Sequence, residues 1–122
     1  MNRRALIFVF GSNLAGRHGK GAALYALRNH GAILWQGEGM QGNSYAIPTK
    51  DRQLVPLPLP EIATHVQRFL DFAKEHPELQ FHVTRVGCGL AGYTDEQIAP
   101  MFRGYTANCH IDPAWRLAML IH

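Results

Sequence analysis

The stretch from Ala5 to Gly31 constrains the fold of this chain most. Ala5-Leu-Ile-Phe-Val-Phe10 is a short, continuous apolar run, β-branched and aromatic in part, and it predicts a strand buried on both faces. Gly11 to Gly21 follows with four glycines. Ala22 to His30, rich in Ala and Leu, predicts a helix, and Gly31 stands just past its end, where a left-handed cap belongs. A strand that passes through a glycine-rich loop into a helix is a building unit of parallel sheets with ligand crevices.

The same alternation continues downstream. Ile33-Leu-Trp35 predicts a short strand, Gly37 to Gly42 is a second glycine-rich segment, and Ser44 to Pro48 predicts another strand. Pro56, Pro58 and Pro60 each lack a ladder donor, so Val55 to Pro60 is an extended connector. Pro60 and Glu61 open a helix in which Ile62, Val66, Phe69, Leu70 and Ala73 form one apolar face, and Pro77 closes it. Phe81 to Val86 predicts a strand, followed by a third glycine loop, Gly87 to Gly92. Thr94 with Gln97 makes a capping box for a helix that Pro100 interrupts, and Asn108 to Ile111 predicts a last strand. Pro113 to His122 carries no clear pattern. The expectation is one α/β domain over residues 1–122, a three-layer α/β/α sandwich on a mixed, largely parallel sheet.

Composition narrows the function. With 122 residues, 47% apolar and 17% charged, the chain has material for one packed core and too little charge for disorder. A net charge of +3 favours anionic ligands, but Arg3, Arg4, Lys50, Arg52, Arg103 and Arg116 are scattered, which gives nucleic acid no support. No apolar run approaches the ~20 residues of a membrane span, and the run behind Arg3 and Arg4 is too short for a signal peptide. Cys88 and Cys109 form neither a disulfide framework nor a metal-ligand spacing, so reducing, cytoplasmic surroundings are expected. The seven histidines show no metal-binding spacing either.

The loops suit phosphate. A loop that wraps an anion turns N–H groups inward, which glycine permits, and the following helix adds its free N–H groups and dipole. Gly11 to Gly16 has the first half of a Walker A loop, but Arg17-His18 stands where Lys-Ser/Thr is required. Gly16, Gly19 and Gly21 reverse the Rossmann order, and no acidic residue ends a strand near Trp35. Nucleoside triphosphatase and dehydrogenase activities are both disfavoured.

Two motifs together resemble a macrodomain of the compact bacterial or phage type. The first is Val9-Phe-Gly-Ser-Asn13 with Gly19-Lys-Gly-Ala-Ala23; the second is Val86-Gly-Cys-Gly-Leu-Ala-Gly-Tyr93. Their order, spacing and strand-loop-helix context match the family over most of the chain. The resemblance implies an ADP-ribose-type nucleotide, or an ADP-ribosylated macromolecule, as partner and calls for no cofactor. Asn13 would lie by the distal ribose, and Ser12 beside it in sequence is a further ligand-binding candidate. Gly19, Lys20, Gly21 and Ala22 would approach the diphosphate, with Cys88, Gly89, Leu90, Ala91 and Gly92 as the facing loop and Tyr93 beside the ribose. The alternative for Asn13 is a cap on its own turn, and for Cys88 a small packing residue.

Hydrolysing macrodomains place an Asp after the first glycine run, or pair a Thr-Lys lysine with an Asp in the second loop. Here Ala22 or Ala23 stands at the first position and Ala91 at the second, while Pro48-Thr-Lys50 keeps the lysine. Lys50 is therefore the candidate catalytic residue, with Glu38 as the foremost candidate acid and Asp51, Asp95 and His18 behind it. Three readings follow. The chain binds ADP-ribose; or it hydrolyses an ADP-ribosyl bond or ADP-ribose 1″-phosphate; or its fold serves as a protein- or nucleic-acid-interaction module.

Overall fold

A computed structural model describes residues 6–121. Ala5, the basic pair Arg3 and Arg4, and His122 lie outside the described residues. Strand β1 is Leu6–Asn13, helix α1 Gly21–Asn29, strands β2 and β3 Gly39–Gln41 and Ser44–Lys50, and helix α2 Leu59–Glu75. Strand β4 (Gln80–Val83) leads to helix α3 (Asp95–Ile98), which continues as a 3-10 turn over Ala99–Phe102. Strand β5 (Cys109–Ile111) and helix α4 (Pro113–Ile121) complete the described chain.

The sheet has the order β2-β3-β1-β4-β5; all neighbours pair parallel except β2, an antiparallel edge strand. Side chains alternate across it. Ile7, Val9, Tyr45, Ile47, Phe81, Val83, Cys109 and Ile111 face a main core shared with α2, the 3-10 turn and α4. Phe69 lies at its heart, with ring centroids 5.0 Å from Tyr45 and 5.3 Å from Phe81. Phe8, Phe10 and Ala46 face the other way, onto Ala23 and Ala26 of α1. The chain is thus an α/β/α sandwich, as expected. Among the described residues no helix is long and apolar enough to cross a membrane.

Several local expectations hold. Gly31 has φ +74 at the end of α1, and Thr94 and Gln97 make both bonds of the capping box. Three differ. Ile33 to Trp35 is an exposed turn, and the strand forms at Gly39–Gln41 instead. The chain is bent there by Gln41, whose buried Oε1 accepts the Ile33 N–H at 2.8 Å, and by a close crossing of Gly31 and Gly42. Strand β4 stops at Val83, and two residues on Arg85 turns out to Asp95. The unread C-terminal segment is α4, opened by Asp112, whose Oδ1 accepts the Ala114 N–H at 2.8 Å.

β1 is central. Its neighbours β3 and β4 are entered through connections on opposite faces, by way of α1 and α2, so a crevice opens at its carboxyl end.

Candidate functional site

A cavity of about 770 Å³ lies at that crevice, within the range of about 300–1,000 Å³ usual for small-molecule sites. The ends of β1 and β3, the start of α1 and the segment after β4 line it.

The first loop is held rigidly. The β1–β3 register shifts between Ser12 and Asn13. Asn13 then clamps the turn: its Oδ1 accepts the Arg17 N–H and its Nδ2 donates to the Arg17 carbonyl, both at 2.9 Å. The Ser12 hydroxyl donates to the Gly37 carbonyl. Both residues line the cavity, but these side chains shape the loop. Gly16 has φ +73, and a Cβ there would stand 2.3 Å from the Trp35 carbonyl carbon. His18 is fully buried, its Nε2 within 3.1 Å of the Gln36 carbonyl and 3.2 Å of Gln41 Oε1.

Beyond this loop, α1 begins without a cap. Lys20 is its N-cap residue and offers no side-chain bond, and the first turn holds no acid. Leu24 N–H closes on the Lys20 carbonyl at 3.2 Å. The N–H groups of Gly21, Ala22 and Ala23, all lining residues, therefore have no partner within the helix. Across the cavity, Gly92 N–H turns back to Gly89 O and Tyr93 N–H to Gly87 O, each at 3.0 Å. Among the described residues nothing accepts from the N–H groups of Gly89, Leu90 and Ala91.

Gly19 and Gly89 differ from the other loop glycines. Neither sits at positive φ, and a Cβ on either would meet no atom within 4 Å. Neither crowding nor backbone conformation requires glycine at these two positions. Leu90 reaches over the start of α1, with Cδ1 3.3 Å from where a Gly21 Cβ would stand.

Arg17, Lys20, Lys50 and Arg85 line the cavity, and among its described lining residues there is no Asp or Glu. Arg85 is bound by Asp95 through two bonds of 2.9 Å, and Trp115 Nε1 donates to the same carboxylate at 2.7 Å. The Arg85 bonds hold the Asp95 carboxyl below its ordinary range. Burial, and then the neighbouring Asp95, push the Cys88 thiol up to about 12. Cys88 is thus a neutral lining group, without the thiolate that a nucleophile requires.

The sequence candidates are distributed as follows. Ser12, Asn13, Gly19, Lys20, Gly21, Ala22, Lys50, Cys88, Gly89, Leu90 and Ala91 come together round the cavity. Tyr93 does not: its hydroxyl donates to the Leu57 carbonyl at 2.6 Å, and its ring packs on the main core. Gly92, at φ +84, turns the chain behind the lining residues. Glu38 stands outside, bound to His65 at 2.7 Å and Arg68 at 3.1 Å on α2. Asp51 accepts the Gln53 and Val55 N–H groups at 2.8 and 3.0 Å, shaping a turn that holds Leu54 at φ +68 in the cavity wall. None of the four acids or bases considered for Lys50 lines the cavity.

Sequence reading missed Arg17, Leu54, Thr84 and Arg85 as lining residues. Arg17 could have been read from its place in the glycine loop. Leu54 lies in a connector with no motif, and only the fold brings it in. Among the described residues no three His, Cys, Asp or Glu gather as round a metal ion. Comparison with known family models, with curated sequences and with solved structures returns no match.

Proposed function

We propose that the cavity binds ADP-ribose or a closely related ADP-ribosyl nucleotide, free or carried on a macromolecule. The diphosphate would lie between the start of α1 and the Gly89–Ala91 turn. The observation that carries this reading is the opposition of two rows of open N–H groups across a cavity with cations and no carboxylate in its described lining. Each feature favours negative charge: N–H groups at an uncapped helix start, a glycine turn, and Lys or Arg side chains. The volume suits a ligand with a base and sugars as well as phosphates. The macrodomain-like motifs supply the ADP-ribosyl identity.

Recognition without cleavage is the favoured form. Hydrolysis at a ribosyl carbon needs a base to activate water, or a nucleophile with a proton partner. Ala22 or Ala23, and Ala91, stand where hydrolysing macrodomains carry Asp, and Glu38 is committed to α2.

Titration calorimetry with ADP-ribose, ADP and AMP tests the reading. ADP-ribose should bind at least about tenfold more tightly than AMP, a difference of about 1.4 kcal/mol. Binding should weaken as salt is raised. Equal, feeble binding of all three would sink the proposal. Incubation with an ADP-ribosylated peptide should release no ADP-ribose, and release that disappears in Lys50→Ala would establish the hydrolase instead.

A further inference from the structure

We infer that the α1 side of the sheet is a docking surface for single-stranded nucleic acid. Two observations, neither of which depends on the cavity's ligand, carry this. The first is a partition of charge. All nine Asp and Glu residues lie at or beyond Glu38, whereas Arg28 precedes it, outside the cavity lining that takes Arg17 and Lys20. The fold makes that asymmetry spatial for seven of the nine. Glu61, Asp71 and Glu75 are on α2, Asp95 and Glu96 on α3, and Asp112 opens α4, all on the main-core side. Glu38 itself is drawn to His65 and Arg68 of α2. Helix α1, on the other side, carries the exposed Arg28 and no acid.

The second observation is a row of rings. Among the described residues α1 packs on β1, and His82 and His110 are exposed on the outward faces of β4 and β5. Phe8, His82 and His110 are direct register partners across three adjacent strands. The buried Phe8 ring lies 4.6 Å from His30, stacked, and 5.8 Å from the exposed His82, edge-on. Tyr25, 52% exposed on α1, extends the row, 5.3 Å from both Phe8 and His30. Arg28 stands one helical turn from Tyr25 on the same exposed side.

Exposed planar rings beside a cation are what a single strand requires. Bases stack on Tyr25, His82 and His110 irrespective of sequence, and Arg28 meets a phosphate. A bilayer or an acidic peptide would answer the charge but not the exposed rings of Tyr25, His82 and His110.

Fluorescence anisotropy with a short labelled oligodeoxythymidine tests the proposal. The protein should bind it at low salt. Binding should weaken about tenfold or more in Arg28→Glu and in the triple variant Tyr25→Ala/His82→Ala/His110→Ala, and stay unchanged in Arg116→Glu on the opposite side. On the wild-type protein, amide shift changes should map to α1, β4 and β5, which keeps the test independent of how the variants fold. No binding at low salt, an equal loss in Arg116→Glu, shifts confined to α2 and α4, or polyglutamate binding as tight as the oligonucleotide would each overturn it.

Discussion

At the residue scale, the glycines divide by what surrounds them. Gly37 is required by the fold: a Cβ there would stand 2.4 Å from the Asn13 carbonyl oxygen. Gly37→Ala is expected to lower stability by about 1–3 kcal/mol, the usual cost of forced local strain, as read from the midpoint of urea unfolding. Unchanged unfolding would show that the Asn13 and Gly37 segments are not in contact. Asn13 was legible as important but ambiguous in role, since an Asn after a strand fits both a ribose contact and a turn cap. The Arg17 bonds assign the cap. Cys88 offers a chemical check. With its thiol pushed up to about 12 by burial and Asp95, little thiolate exists at mildly alkaline pH. Iodoacetamide should label it more slowly than a free cysteine peptide, and labelling at the peptide's rate would contradict the site as described.

At the element scale, strands and helices with a clean period or a cap were legible from sequence. The Phe69 face of α2 and the Thr94–Gln97 box are examples. Ile33 to Trp35 misled because apolar content mimics a strand, while the bend depends on Gln41 and Gly42 further along. α4 escaped because Leu117, Leu120 and Ile121 are apolar yet exposed, which blurs the stripe of Trp115, Ala118 and Met119. Asp95 joins three elements, through Arg85 after β4, its own helix α3 and Trp115 of α4. Its folded carboxyl titrates below the unfolded one. The stability it contributes is therefore present above the ordinary carboxylate range and is lost as pH falls through the folded value. The Tm gap between wild type and Asp95→Asn should accordingly be widest near neutral pH and close as the solution is acidified below about pH 4. A gap that stays constant with pH would assign the loss to packing alone.

At the scale of the whole molecule, sequence order and the glycine loops pointed to the carboxyl ends of the strands, where the cavity lies. They were not sufficient to show which charged groups would face it. Lys50 ends β3 and was legible from the Thr49-Lys50 pair; Arg85 and the exclusion of Glu38 and Asp51 depend on packing that no local pattern encodes. The resulting lining predicts electrostatic binding: Arg17→Ala/Lys20→Ala should weaken ADP-ribose binding and flatten its salt dependence. The central claim, that two glycine turns hold a diphosphate, is tested most directly by calorimetry on Gly19→Ala/Gly89→Ala. Because a Cβ at either position meets open space, the variant should melt at or slightly above the wild-type temperature, since Ala at a compatible site stabilises by about 0.4–1 kcal/mol. Its affinity for ADP-ribose should nonetheless fall by about tenfold or more, or about 1.4 kcal/mol. Wild-type affinity in a fully folded variant, or no heat from the wild type at millimolar ligand, would contradict it.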